Sequence, residues 1–292
     1  MLLNNHVKAQ LLFLNNPSNH IVLFNPAFSA IRSGFNNNYI PKQINASFRV
    51  AEKQSDFTMT GQYYFLDKNL GLSAHYNYIN QKNSNYQIMG IGVSHHLIFF
   101  NEVSTGWGIS LNYNTLQTDS NTNFSVYNET RNGKLQNSNY ASLNFGGLIN
   151  YDRLMLGFSY QPKQCIFNTT NKKGTNYSTG SIYLKYKKPI SRNINATIWY
   201  NANWNSINNL QTIASKIAQD KIQSHALNVH VSGKRGIIAG IGCRITDFNY
   251  TSFISKLGFN AKKWQIVYGI EPYWMHAKYS EIIHELSFTF KI

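Results

Sequence analysis

The last nine residues, His284-Glu285-Leu286-Ser287-Phe288-Thr289-Phe290-Lys291-Ile292, alternate without a break. Leu286, Phe288, Phe290 and Ile292 share one face. Glu285, Ser287, Thr289 and Lys291 share the other. A period of two is the mark of an extended strand with one apolar and one polar side. As the free edge of a soluble sheet, such a strand would invite aggregation. It is at home where a barrel closes on its first strand and the apolar face meets lipid.

The pattern recurs along the chain. Ile194, Ala196, Ile198, Tyr200, Ala202 and Trp204 interleave with Asn195, Thr197, Trp199, Asn201, Asn203 and Asn205. Trp107, Ile109, Leu111 and Tyr113 interleave with Gly108, Ser110, Asn112 and Asn114. Phe57, Met59, Gly61, Tyr63 and Phe65 interleave with Thr58, Thr60, Gln62 and Tyr64. A soluble β-sandwich also alternates, but its outer faces are often charged and its inner faces densely apolar. Here the polar face is mostly Asn, Ser, Thr and Gly, which suits a hydrated lumen. The expected fold is an all-β, antiparallel transmembrane barrel of the outer-membrane type.

Composition agrees. Charged residues make up only 13% of the 292 residues and aromatics 14%. That balance fits an outer band in hydrocarbon with aromatic rims. No apolar run is long enough for a membrane-spanning helix. The formal charge of +15 has two readings, attraction of an anionic ligand, lipopolysaccharide or acidic partner, or a solvated basic surface. Nucleic acid is not an expected partner, because no recognition motif accompanies the basic residues. Cys243 falls on an apolar strand face and Cys165 in an expected loop, so neither points to a disulfide or a metal.

Fourteen strands are predicted: 43–51, 56–65, 70–79, 86–99, 105–116, 140–150, 154–161, 178–188, 194–204, 223–232, 236–245, 249–259, 263–273 and 282–292. Most have the length a tilted strand needs to cross a bilayer. With the start of the barrel in the periplasm, the short turns fall on that side. They lie near Asp67-Lys68-Asn69, Asn101-Glu102-Val103, Asp152-Arg153, Ser191-Arg192-Asn193, Gly233-Lys234-Arg235 and Ala261-Lys262. The long connections, 117–139, 162–177 and 205–222, all fall on the opposite, extracellular side. Residues 43–292 are thus read as the barrel. Residues 10–42, with the turn-forming Asn25-Pro26 between Phe24 and Phe28, are read as a periplasmic or plugging segment. Residues 1–9 are read as the remnant of a signal peptide, the alternative being that residues 1–20 form a flexible leader.

Enzyme chemistry finds little support. Ser73 and His75 share a strand face, but no acid is placed to orient the imidazole. His95 and His96 point to opposite faces, as do His225 and His230, so neither pair chelates one metal from a straight strand. No cofactor is expected. Arg244 and Glu285 both face inward and are read as a lumen ion pair.

Several motifs together resemble the PorP/SprF family of outer-membrane barrels, associated with type IX secretion and gliding motility. Leu23-Phe24-Asn25-Pro26-Ala27-Phe28-Ser29-Ala30 is similar to the family's early NPA segment, with Ala30 where Gly is usual. Arg49 matches an arginine of the first strand. Ser94-His95-His96-Leu97 is similar to a strand end. Ala239-Gly240-Ile241-Gly242-Cys243-Arg244 matches a Gly-rich strand, with Cys for Tyr. Ile283-His284-Glu285-Leu286-Ser287-Phe288 matches the closing segment, which here runs on to Lys291-Ile292. Asn25, Pro26, Arg244, His284 and Glu285 are therefore the motif residues.

The resemblance implies a role in secretion or surface display of an adhesin bearing a type IX C-terminal domain. It equally implies a machinery component beside a periplasmic peptidoglycan-associated lipoprotein or ring protein. The alternative is a porin-like channel for small solutes. Candidate contacts on the long loops are Tyr127, Arg131, Lys134, Lys172 and Lys173, each of which is also what a solvated loop residue looks like.

Overall fold

The computed structural model describes residues 20–29, 42–52, 54–81, 84–99, 103–118, 136–162, 165–168, 177–207, 222–233, 236–246, 250–275 and 278–292. The strands are β1 (Lys42–Ala51), β2 (Gln54–Phe65), β3 (Leu70–Gln81), β4 (Ser84–Phe99), β5 (Val103–Thr118), β6 (Gln136–Tyr151), β7 (Leu154–Gln161) and β8 (Cys165–Asn168). They continue as β9 (Tyr177–Ser191), β10 (Ile194–Ile207), β11 (Ile222–Gly233), β12 (Ile237–Thr246), β13 (Tyr250–Asn260), β14 (Trp264–Met275) and β15 (Lys278–Lys291).

Every strand pairs antiparallel with its neighbours, and β1 closes on β15. Phe48 stands opposite Leu286 and Ala46 opposite Phe288 across the seam. The result is a closed barrel of fourteen antiparallel strands. Fifteen segments make fourteen staves because β7 and β8 share one position. Both lie on β6, with β7 along Phe145–Tyr151 and β8 along Tyr140–Ser142. The expectation of a loop over 162–177 is corrected here, since Cys165 lies in β8. Pro162 in the break cannot donate to a ladder, which is a local reason for the stave to divide there.

The wall is polarised as the alternation demands. Leu286, Phe288 and Phe290 are 52%, 41% and 39% exposed on the outside. Their neighbours Glu285, Ser287 and Thr289 are buried inside. Asn45, Ser47, Thr58, Thr60, Asn77, Ser110, Asn112, Asn114, Asn201, Asn203 and Asn228 are buried on the inner face in the same way. The barrel is apolar without and polar within, the inverse of a water-soluble fold.

One end carries tight connections. Asn69 and Asp152 adopt φ of 50° and 47°, and Gly236 φ of 87°, as sharp reversals require. Barrels of this type set their short turns in the periplasm, which orients the chain.

A seat in the lumen and a buried charge network

The largest apolar cluster among the described buried residues is inside the barrel. It joins Ile21, Val22, Ala27 and Phe28 to Leu148, Met155, Tyr183 and Trp199. Residues 20–29 enter the lumen as two 3-10 turns, Ile21–Leu23 and Pro26–Phe28, and all ten are buried. Burying a ring such as Phe28 contributes roughly 1.5–3 kcal/mol. Its ring meets Tyr183 edge-on at 5.2 Å.

Polar contacts hold the segment at both ends. Asn25 caps the second turn, accepting from the Ala27 amide at 2.9 Å. Its Nδ2 donates to the carbonyls of Gly147 and Phe158 at 3.2 and 2.9 Å, bridging β6 and β7. Asn144 donates back to the Phe24 carbonyl at 3.0 Å. Ser29 Oγ lies 2.8 Å from Ser73 Oγ, and the Ser29 carbonyl accepts from Ser94 at 3.0 Å, with His96 Nε2 at 3.3 Å. His20 Nδ1 lies 3.3 Å from Thr60 Oγ1.

Missing side chains make the room. A Cβ on Gly71 would stand 2.1 Å from the Ser29 carbonyl oxygen. On Gly108 it would stand 2.6 Å from the Pro26 carbonyl carbon, and on Gly157 2.3 Å from the Phe28 ring. Three strands thus present bare backbone where residues 26–29 press against the wall. The sequence placed Gly108 on the polar face, but there it read simply as hydrated lining. Glycines recurring at inward positions on neighbouring strands were the signal that could have located the seat.

Away from the seat, charges gather on β1, β2, β12, β14 and β15. Glu271, 1% exposed, is the hub. Its Oε1 takes Arg244 Nη1 at 2.5 Å and the Ser252 hydroxyl at 2.5 Å. Its Oε2 lies 3.6 Å from Arg49, which also reaches Asp56 at 3.7 Å. Gln54 donates to Asp56 at 2.6 Å, and Ser287 donates to Glu285 at 2.9 Å. Arg49 faces Asp56 on β2 and Glu285 on β15 in the strand register.

The motif residues therefore divide. Asn25 and Pro26 lie in the seat. Arg244 and Glu285 face the lumen, and Glu285 acts electrostatically on Arg244, whose ion pair at 2.5 Å is with Glu271. His284 faces outward and stacks on Tyr268, with its Nδ1 2.7 Å from the phenol oxygen. Of the two adjacent histidines, His96 turns in to Ser29 and His95 turns out against Trp107. Tyr127, Arg131, Lys134, Lys172 and Lys173 lie outside the described residues, as do residues 1–9. Asp56 and Glu271 were not singled out in the sequence, because acids so far apart in the chain form no local pattern. Among the described residues, no cluster of His, Cys, Asp and Glu could hold a metal ion.

Known structures share the architecture. The chain is similar to the CymD monoaromatic hydrocarbon channel at a TM-score of 0.58 and 10% identity, over 96% of this chain and 94% of that one. It is similar to the outer membrane protein Omp33 of Acinetobacter baumannii at 0.50 and 12% identity, over 87% and 99%. It is similar to CdiB from Acinetobacter baumannii at 0.53 and 7% identity, over 86% of this chain and 60% of that one. At such identities the likeness is one of fold. No curated protein matches the chain. The closed barrel and its apolar outer wall place it in the bacterial outer membrane. Residues 7–290 match the family described as "Type IX secretion system membrane protein PorP/SprF", and the chain belongs to that family.

Proposed function

We propose that this outer-membrane barrel serves type IX secretion as a recognition element. It binds the C-terminal domain of a secreted adhesin through its long extracellular connections and helps to anchor or display it. The role is binding, with no catalysis. The observation that carries this reading is the lumen seat. Residues 20–29 occupy the interior and are locked to β3, β4, β6 and β7, which favours a sealed platform over an open solute channel. Rigid barrels with long connections on one side present natural recognition surfaces. A machinery role beside a periplasmic lipoprotein or ring protein would use the short-turn end instead.

The test is to shorten 120–136 to a tight turn. Heat-modifiable mobility on a gel checks that the barrel still folds, and surface display of the cognate adhesin is then measured. Display should fall. If it stays unchanged after 119–135 and 208–221 are both trimmed, binding occurs in the lumen or on the periplasmic side. The porin alternative rests on the Asn- and Ser-rich inner face. It predicts stable, large single-channel conductance for the native protein in planar bilayers.

A further inference from the structure

On the inner wall, lysines from β9 and β13 lie over one indole on β10, and a third lysine follows two residues along β9. Lys185 and Lys187 share the inward face of β9 with Tyr183. Lys256 comes from β13. The Lys185 ammonium lies 6.0 Å from the Trp199 ring centroid and the Lys256 ammonium 5.6 Å from the same ring. His230 meets that ring edge-on at 5.5 Å, and all three lysines act electrostatically on His230. The four cationic or titratable groups are therefore gathered at one place, although they come from three strands.

The acids are elsewhere. Asp56, Glu271 and Glu285 lie in the arginine network, and Glu285 and Glu271 act on Lys256. The charged group acting on Lys185 is Lys187, a like charge. Among the described residues, none of the three lysines forms an ion pair. Trp199 is 2% exposed, and its Nε1, which can only donate, has no hydrogen-bond partner. An unpaired buried donor on an indole whose face carries two ammonium groups is the chemistry of an anion site.

The site lies toward the short-turn end of the barrel. The Lys187 amide donates to the Arg153 carbonyl in the β6–β7 turn, so Lys187 stands level with the short-turn end. Lys185 pairs in register with Met155, which borders the seat of residues 20–29. Tyr183 lies 5.2 Å from Phe28 and 6.0 Å from Trp199, linking seat and site by aromatic contact.

We propose that Lys185, Lys187, Lys256 and the Trp199 indole N–H form a binding site in the lumen for an oxyanion, a carboxylate or phosphate group arriving from the periplasmic mouth. This site stands independently of which protein docks on the extracellular loops. The shared chemistry is a compact oxygen anion, supplied either by free phosphate or by a carboxylate-bearing ligand.

The experiment uses the full chain folded in detergent, titrated at constant ionic strength with inorganic phosphate and separately with glutarate. Binding is read by tryptophan fluorescence and by calorimetry. Saturable binding of at least one probe is expected, and the probe that binds identifies the source. K185Q/K187Q should weaken it about tenfold or more, since charge-assisted bonds are lost. W199F should weaken binding and remove the fluorescence response while the barrel keeps its heat-modifiable shift. If the double variant does not fold, K256Q is measured and should weaken binding likewise. Absence of saturable binding of both probes to the unaltered protein, or unchanged affinity in folded lysine variants, overturns the site.

Discussion

A Cβ placed on Gly146 would stand 2.0 Å from the side-chain oxygen of Asn25. Residue 25 caps a turn in the lumen and residue 146 lies in the wall, and each conformation depends on the other. Any side chain at 146 must displace that cap. Gly146→Val should unseat residues 20–29 without opening the wall, because Val suits a strand. Gly71→Val should act more strongly, since its obstacle is the Ser29 backbone carbonyl rather than a movable side chain. Both variants should show larger conductance than the unaltered protein in planar bilayers while retaining heat-modifiable mobility. Unchanged conductance would mean that the segment does not limit passage.

Asn25→Ala removes the cap and both donor contacts to Gly147 and Phe158. Each lost buried bond typically costs about 0.5–1.5 kcal/mol. The segment should open more often, and amide hydrogen exchange at Ala27 and Ser29 should accelerate while strand amides stay protected. Equal protection in both proteins would show that apolar packing of Phe28 alone holds the seat.

Glu271→Gln leaves Arg49 and Arg244 in a buried site without their shared carboxylate. Removing one partner of a buried pair costs roughly 3–5 kcal/mol. By contrast, Arg153 and Asp152 form a turn pair at 3.7 Å whose side chains are 50% and 41% exposed. Arg153→Ala should cost well under 1 kcal/mol. Urea unfolding in lipid vesicles compares the two. Similar losses would mean that the Glu271 network adds little to stability.

Phe288→Arg puts a charge on the outer wall opposite Ala46. At the bilayer midplane this costs about 2–4 kcal/mol. Folding yield into vesicles should fall sharply. A normal yield would argue that Phe288 sits near a headgroup rather than in hydrocarbon.

Burial lowers the His20 imidazole from its ordinary 6.5 to about 3. The seated state therefore holds His20 neutral, and a released segment would take up a proton below pH 6.5. Seating is fully stable above that value and weakens by about 1.4 kcal/mol per unit as pH falls toward 3. Protease cleavage within 20–29 should rise on acidification. His20→Gln, which does not titrate, should flatten the dependence, and an unchanged profile in that variant would assign the effect to other groups.

What the sequence determined by itself was the polarity of the wall. Alternation is a local property of extended backbone, so each strand declared its lipid face and its lumen face without help from its neighbours. Leu286, Phe288 and Phe290 were legible as outer residues, and Ser73, His75, Arg244 and Glu285 as inner ones. Turn residues and strand lengths then led to fourteen staves and closure. The break at Pro162 was missed because β8 is only four residues long, too short for a period to be read. Tertiary structure alone decided which inner residues meet. Asn25 finds Gly147 across 122 residues, Arg244 finds Glu271, and Lys185 and Lys256 converge on Trp199. Those meetings depend on the stagger between strands and the width of the lumen, which are properties of the closed sheet as a whole. A period of two says which way a side chain points, and only closure says what it points at.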